Sequence, residues 1–336
     1  MKKIKIAQIG TSQNSHGNPI WHSLTKQKEI FEVVGYAMPE QEKEKFPSRM
    51  PDFAGYPELS VDAILRDPEI EAVAVETEEI YLTQYALLAA RHGKHIHMEK
   101  PGGTKHSAFK MLLDEARQNH LVFHTGYMYR YNPYVQELLR QIRRGELGEI
   151  ISVEAQMNCV HPSGVRQWLS AFPGGILFFL GCHLIDLILQ IQGEPENILP
   201  LSICTGTGGV TAQDFGMAVF EYKHGRSFAK VNATEHGGFA RRQLVVAGSK
   251  KTIEIKPLEI NQDAWGGLTT RCTAYSSADW NDAGVSQESA PFNRYDAMMR
   301  GFAEYVRGIK ENPWDYAYEL QLYETILRAC GGEIDG

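Results

Sequence analysis

Glu71-Ala-Val-Ala-Val75 and, after an amphipathic stretch over residues 82–91 that stops at Gly93, His95-Ile-His-Met-Glu-Lys-Pro-Gly-Gly103 read as two short buried strands joined by a helix. Short apolar runs alternating with 3.6-period segments predict strand–helix–strand units and a parallel sheet. Glu99-Lys100-Pro101 closes the second strand. Proline lacks an N–H and restricts the residue before it, so the strand ends there and the start of the Lys100 stem is fixed. Open α/β sheets bind ligands outside the carboxyl ends of their strands, so this spacing puts an ammonium group in that crevice.

The same alternation extends outward in both directions. Lys5-Ile-Ala-Gln-Ile9 reads as a buried strand ending at Gly10, and Asn18-Pro19 as the cap and first residue of a helix reaching about Lys28. Strands are expected at 31–36 and 121–124, and helices at 60–65 and 107–119. The fold class is therefore α/β, with a doubly wound parallel sheet in a first domain over residues 1–126. After Gly126 the texture changes. A helix starts at Asn132-Pro133, and strand-like segments recur at 150–157, 199–205, 216–222, 227–234, 242–247 and 252–255, with a helix inserted at 181–192. Turn pairs such as His224-Gly225 separate several of them. These features predict an α+β second domain, 127–336, with a large, mostly antiparallel open sheet and two helices in its tail, 294–307 and 316–330.

Composition excludes several classes. A chain of 336 residues suggests two domains, and a net charge of −7 offers no basic surface for nucleic acid. Five cysteines without C-x-x-C spacing argue for reduced thiols in the cytoplasm, and against a disulfide or zinc scaffold. His161, Cys182, His183 and His236 have no ligand spacing, so no metal is expected. Lys5, Gln8 and Gly10 interrupt any signal-peptide core after Met1-Lys2-Lys3. The apolar run 176–191 carries His183 and Asp186 and reads as a buried helix, so no membrane is expected.

The turn after the first strand is Gly10-Thr-Ser-Gln-Asn-Ser-His-Gly17. A dinucleotide fingerprint wants three glycines here, and only Gly10 stands in place. Thr11 and the small Ser12 and Ser15 are expected to turn N–H groups toward phosphate. Met38-Pro39-Glu40 occupies the end of the second strand, where an acid would bind the ribose diol. No Arg stands there for a 2′-phosphate, and Glu40, Glu42 and Glu44 would repel one, softened by Lys43 and Lys45. NAD is the expected cofactor, with NADP as the alternative.

Three segments point one way together. They are Met98-Glu-Lys-Pro101, Gly126-Tyr-Met-Tyr-Arg-Tyr-Asn-Pro133, and Gly174-Gly175 ahead of Leu180-Gly-Cys-His-Leu-Ile-Asp186. In this order and spacing the chain resembles the Gfo/Idh/MocA family of oxidoreductases over nearly its whole length. The resemblance implies a Rossmann domain, an open-sheet domain that mediates a homodimer or homotetramer, and NAD(P)-dependent chemistry on sugars and polyols. It implies Lys100 near nicotinamide and substrate, His183 as the proton-transfer residue, and Arg130 and Asn132 near the domain junction. Thr77 matches the family's Thr-Pro-Asn turn beside the cofactor, although Glu78-Glu79 replaces Pro-Asn. Phe179 stands where many members carry an Asp that orients the histidine.

Oxidising a carbinol needs hydride loss to the cofactor and proton loss from the hydroxyl. A neutral His183 suits the base, and the Lys100 ammonium would stabilise the developing alkoxide. Gly10, Thr11, Ser12, Met38, Thr77, Glu99 and Lys100 are the expected cofactor contacts. Arg130, Asn132, Arg166, Trp168 and Asp186 are the candidates for a carbohydrate or cyclitol substrate, with structural tethering as their alternative. Two other functions fit the departures: glycoside cleavage through transient ring oxidation on retained NAD, and sugar or nucleotide binding without catalysis.

Overall fold

The computed structural model describes residues 2–332, which divide into two compact units. The first holds residues 2–128 and 295–323. Its strands are β1 (Ile4–Ile9), β2 (Phe31–Ala37), β3 (Ala72–Val75), β4 (His95–Met98) and β5 (Phe123–Thr125). Between them run α1 (Gly17–Lys26), the short α2 (Glu42–Lys45), α3 (Val61–Arg66), α4 (Leu82–Arg91) and α5 (His106–Gln118). All strand pairs are parallel, in the order β2-β1-β3-β4-β5. β3 is buried at every position, as a strand covered on both faces must be. The order reverses between β1 and β3, which makes their carboxyl ends the switch point of the sheet. Register carries one face across the strands: Ala74 pairs with His97 and His97 with His124.

The second unit holds residues 129–294 and 324–332. It opens with α6 (Pro133–Arg143), β6 (Ile150–Gln156), α7 (Ser163–Trp168), α8 (Cys182–Gln192) and β7 (Asn197–Pro200). The hairpin β8 (Phe215–Tyr222) and β9 (Gly225–Asn232) and the pair β10 (Gln243–Gly248) and β11 (Thr252–Ile255) follow. Then come β12 (Ile260–Asn261), β13 (Gly267–Thr269), β14 (Arg271–Tyr275), β15 (Val285–Glu288) and β16 (Phe292–Asn293). The eight-stranded sheet runs β15-β14-β11-β10-β6-β9-β8-β7 and is antiparallel except where β6 pairs with β9. β12, β13 and β16 form a separate three-stranded sheet. α8 is buried almost all round and packs on β6 and β9, as an apolar helix inside a domain does.

The observed architecture matches the expected one, with four differences. α1 starts at Gly17, so Asn18 lies inside it and does not cap it; its Oδ1 accepts from the Thr11 hydroxyl instead. The strand expected at 199–205 is β7, Asn197–Pro200, continued only by a bridge from Ile203 to Phe215; Pro200 lacks a ladder N–H. The strands β12 to β16 carry no signal in the sequence because they are short, and β15 is exposed at all four residues. The tail does not stay with the second domain. In α9 (Arg294–Val306), Phe302 packs on the rings of His97 and His124. Arg307 Nη2 donates to the carbonyls of Lys2 (2.8 Å) and Ile30 (3.2 Å), and Asn312 to that of Phe123 (3.0 Å). The last helix, α10 (Tyr316–Ala329), starts in the first unit and ends in the second. Among the described residues no helix is long and apolar enough to cross a membrane.

Candidate active site

The first unit gathers a charged crevice at the carboxyl ends of β1, β3 and β4. Gly10 ends β1 at φ +84°, and a Cβ there would lie 2.5 to 2.7 Å from Thr77. Only glycine lets the two strand ends approach this closely. Backbone pairing continues past the strands, with the Glu76 N–H donating to Ile9 and the Glu99 N–H to Val75. Alternation therefore puts Glu76 on the face of Ala74, and Glu99 on the face of His97. Lys100 is 1% exposed, and its Nζ stands 3.7 Å from Glu99 Oε1. The other Glu99 oxygen takes the His16 N–H at 3.0 Å and lies 2.7 Å from His16 Nδ1. Burial would raise the Glu99 carboxyl, yet His16 and Lys100 hold it well below its usual range. Glu76 feels Lys100 as well, but burial outweighs it. Burial and then the nearby Glu99 push its pKa well above the usual value. Its Oε1 is 3.4 Å from His97 Nε2, and His97 Nδ1 is 2.8 Å from His124 Nδ1. Burial lowers His97 to about 4, so that ring is neutral. Glu79, in the place of the family asparagine, is raised by burial to about 7.

Glu42 is the residue the sequence reading did not place. Its carboxylate spans the switch point: Oε2 takes the Thr11 N–H at 3.2 Å, and Oε1 takes the Glu78 N–H at 3.1 Å and the Thr77 hydroxyl. The left-handed residues Glu40 and Gln41 (φ 57° and 59°) turn the chain so that Glu42 points inward. Glu40, the expected diol acceptor, instead accepts from the Tyr85 hydroxyl at 2.7 Å. Met38 is half-buried after β2. The loop N–H groups also depart from expectation. Ser12 N–H donates to Ser15 Oγ (2.9 Å) and Ser15 N–H to Ser12 Oγ (3.0 Å), so the two hydroxyls clasp the loop rather than leaving its donors to phosphate. The Thr11 hydroxyl donates to Asn18 Oδ1 at 2.8 Å.

Burial raises Glu42 to about 7 as well. A carboxyl raised on folding stabilises the fold below its unfolded value of about 4.5 and loses that contribution as pH climbs through about 7. The urea midpoint is therefore expected to fall between mildly acidic and mildly alkaline pH, by on the order of 2–3 kcal/mol for Glu42. Urea melts of Glu42→Gln, read across that range, should show a flatter pH slope than the parent; an unchanged slope would exclude Glu42 as the source.

The candidate histidine, His183, lies in the second unit. Gly174 and Gly175 turn the chain with φ of 67° and 52°; added Cβ atoms would lie 2.5 Å from Cys330 Cβ and 2.1 Å from the Gln213 carbonyl. A π-helical turn, Leu177–Gly181, leads into α8. His183 on its first turn is 1% exposed, with Tyr129 edge-on at 5.2 Å. Burial and then Glu259 push the Tyr129 phenol above its usual value. Phe179 faces aromatic neighbours, Trp168 at 5.1 Å edge-on and Phe172 at 6.2 Å stacked. An acid there would be buried against these two rings.

Several expected substrate contacts are structural in their geometry. Arg130 Nη2 (2.8 Å) and Nε (3.0 and 3.2 Å) donate to the Asp186 carboxylate, which also takes the Gln190 amide at 2.9 Å. Asn132 caps α6, accepting from the N–H groups of Tyr134 and Val135, and its amide donates to the Leu258 carbonyl. Arg166 ties loops together through the carbonyls of His161 (3.1 Å) and Thr207 (2.8 Å) and Asp214 Oδ2 (2.6 Å). Trp168, half-buried, packs edge-on against Phe172 as well as Phe179. Among the described residues no group of three or more His, Cys, Asp or Glu is arranged to hold a metal. The Gly10 gap, the Lys100 cation and carboxylates able to accept ribose hydroxyls fit a dinucleotide.

Residues 4–127 match the model of the oxidoreductase family's NAD-binding Rossmann fold, and residues 135–254 match the GFO/IDH/MocA C-terminal domain. Trans-1,2-dihydrobenzene-1,2-diol dehydrogenase of Bos taurus is 29% identical over 143 residues, 41% of this chain and 42% of that protein. The chain spans about half the length of the curated relatives it matches. A 3-ketoreductase from Actinomadura kijaniata, solved with NADP and TDP-benzene, superposes with a TM-score of 0.77 at 17% identity, covering 98% of each chain. A levoglucosan dehydrogenase, solved with NADH and levoglucosan, gives 0.76 at 17% identity, also covering 98% of each.

Proposed function

Because the chain belongs to the Gfo/Idh/MocA family of oxidoreductases, we propose that it moves hydride between a nicotinamide and a carbinol carbon of a sugar, polyol or cyclitol. The observation that carries this reading is Lys100, a buried ammonium fixed at a strand end beside Glu99. The cofactor, when bound, supplies the hydride acceptor or donor. Lys100 stabilises negative charge on the carbinol oxygen as its proton leaves. His183 takes that proton in oxidation and returns it in reduction. Tyr129 fixes one side of its ring. Phe179 offers no carboxylate at that place.

NAD is the favoured cofactor. A 2′-phosphate near the switch point would meet the Glu42 carboxylate rather than an arginine. The substrates named for the bovine relative and the two solved structures support a compound with hydroxyl or keto groups on a ring. The eight-stranded sheet, with its exposed edge, is the surface proposed for a homodimer or homotetramer.

Substrates deuterated at the carbinol carbon test the reading directly. Mass spectrometry should find deuterium in the dinucleotide after turnover. His183→Asn should lower turnover by about a hundred- to ten-thousand-fold while NAD affinity stays put. No deuterium from any ring polyol or sugar would sink the proposal.

A further inference from the structure

Four buried acceptor atoms near the carboxyl ends of β1 and β3 take no hydrogen bond from any described residue: Gln8 Oε1, both oxygens of Glu76, and Glu79 Oε1. Gln8 and Glu76 are 0% exposed and Glu79 is 1% exposed. They are neighbours. A Cβ on Gly17 would lie 3.2 Å from Glu76 Cβ and 3.3 Å from Gln8 Nε2, and Glu76 interacts electrostatically with Glu79. Buried polar atoms left unpaired cost free energy, so folding holds this acidic cluster, with His97 Nε2 3.4 Å from Glu76 Oε1, at the expense of stability. The groups that answer such a cluster are hydrogen-bond donors and positive charge.

We propose that Glu76, with Glu79 beside it, makes this crevice hold the oxidised, cationic nicotinamide in preference to the reduced, neutral one. The inference rests on the dinucleotide reading above. NAD⁺ and NADH carry the same adenosine, riboses and pyrophosphate, so whatever the buried acids cost the phosphates is common to both. The two differ by one hydride, and hence by one positive charge on the ring. A cation beside a buried neutral acid favours its ionisation, so the oxidised form should drive a proton off the pair and the reduced form should not. The other titratable groups facing Glu76 are Glu99 and Lys100, and His97 on the far side. Glu99 is already ionised between His16 and Lys100, and His97 is neutral with His124 behind it. Glu76 and Glu79 are thus two groups with protons to release; Glu42, also raised, is instead engaged by the N–H groups of Thr11 and Glu78 and the Thr77 hydroxyl.

Calorimetric titration of the whole protein with NAD⁺ and with NADH, in two buffers of different ionisation enthalpy near neutral pH, reads both affinity and protons. NAD⁺ is expected to bind about tenfold tighter than NADH, as one unit charge a few ångströms from an acid gives at an intermediate dielectric. More protons should leave with NAD⁺ than with NADH. Glu76→Gln, which keeps the shape and removes the ionisation, should shrink the affinity ratio by about tenfold and erase the proton difference. Glu79→Gln should do the same in part, and serves if the first variant does not fold. Equal proton counts for the two forms, or a ratio unmoved by either variant, would overturn the proposal and leave the oxidoreductase reading intact. Failure of either dinucleotide to bind would overturn both.

Discussion

Replacing Lys100 with methionine is expected to cut turnover by about a hundred- to ten-thousand-fold and to change NADH affinity only a few-fold. The reasoning starts from where the charge is needed. Ground-state substrate is neutral at its hydroxyl; negative charge develops only as the proton leaves. An ammonium placed there acts on the transition state and little on binding. Lys100 is suited to this because its stem is fixed. Its backbone N–H donates to Glu99 Oε1 at 2.8 Å, Pro101 follows, and its side chain is 1% exposed. A buried charge with few rotamers loses no reorganisation energy at the moment of reaction. Methionine keeps the unbranched stem, so packing is largely retained. The deleted charge leaves Glu99 with His16 as its hydrogen-bond partner, and burial already pushes Glu76 and Glu79 toward their neutral forms. Steady-state rates beside equilibrium NADH binding by fluorescence separate the two effects. Unchanged turnover would reduce Lys100 to a counter-ion for the glutamates.

The parallel sheet was legible because its signals are local. β1, β3 and β4 are short apolar runs, β1 and β4 followed by breakers at Gly10 and Pro101, and the helices between them carry their own period. Lys100 followed from the same logic, since a strand end plus a proline fixes a side chain without knowledge of distant residues. What stayed hidden depends on pairing across long separations. Arg130 and Asp186 are 56 residues apart, and neither position announces the other. α9 returns to the first unit through Phe302 and Arg307, whose partners lie near the start of the chain and on β4 and β5. Glu42 sits in a run of alternating Glu and Lys that does not single it out from Glu40 and Glu44, and the two left-handed residues before it turn it inward. Glu76 did leave a trace: a carboxylate extending a fully buried strand has no solvent to face. Ser12 and Ser15 are small residues in a tight loop, as expected, and their hydroxyls accept from each other's N–H groups, a pairing that the sequence does not announce.

Asp186→Ala and Arg130→Met should each destabilise the second unit by about 3–5 kcal/mol, because either change leaves its former partner as an uncompensated buried charge. The two side chains are 1% and 0% exposed, and Arg130 reaches the carboxylate through both Nε and Nη2. At about 2–4 °C per kcal/mol for a domain of this size, thermal melting should drop by roughly 6–20 °C. Removing both charges is a different experiment from removing one. The pair Arg130→Met with Asp186→Leu strands no ion, and buried ion pairs replaced by apolar residues of similar volume are often neutral or better. The double variant should therefore melt well above either single one, and additive losses would mean that the pair contributes through packing alone. Asp186→Asn separates stability from chemistry. Asp186 lies one turn after His183 on α8, so an effect transmitted through the imidazole would appear as a shifted pH profile at temperatures far below melting. A purely architectural pair predicts the opposite: a lower melting temperature, with the pH dependence of the folded fraction's turnover where it was.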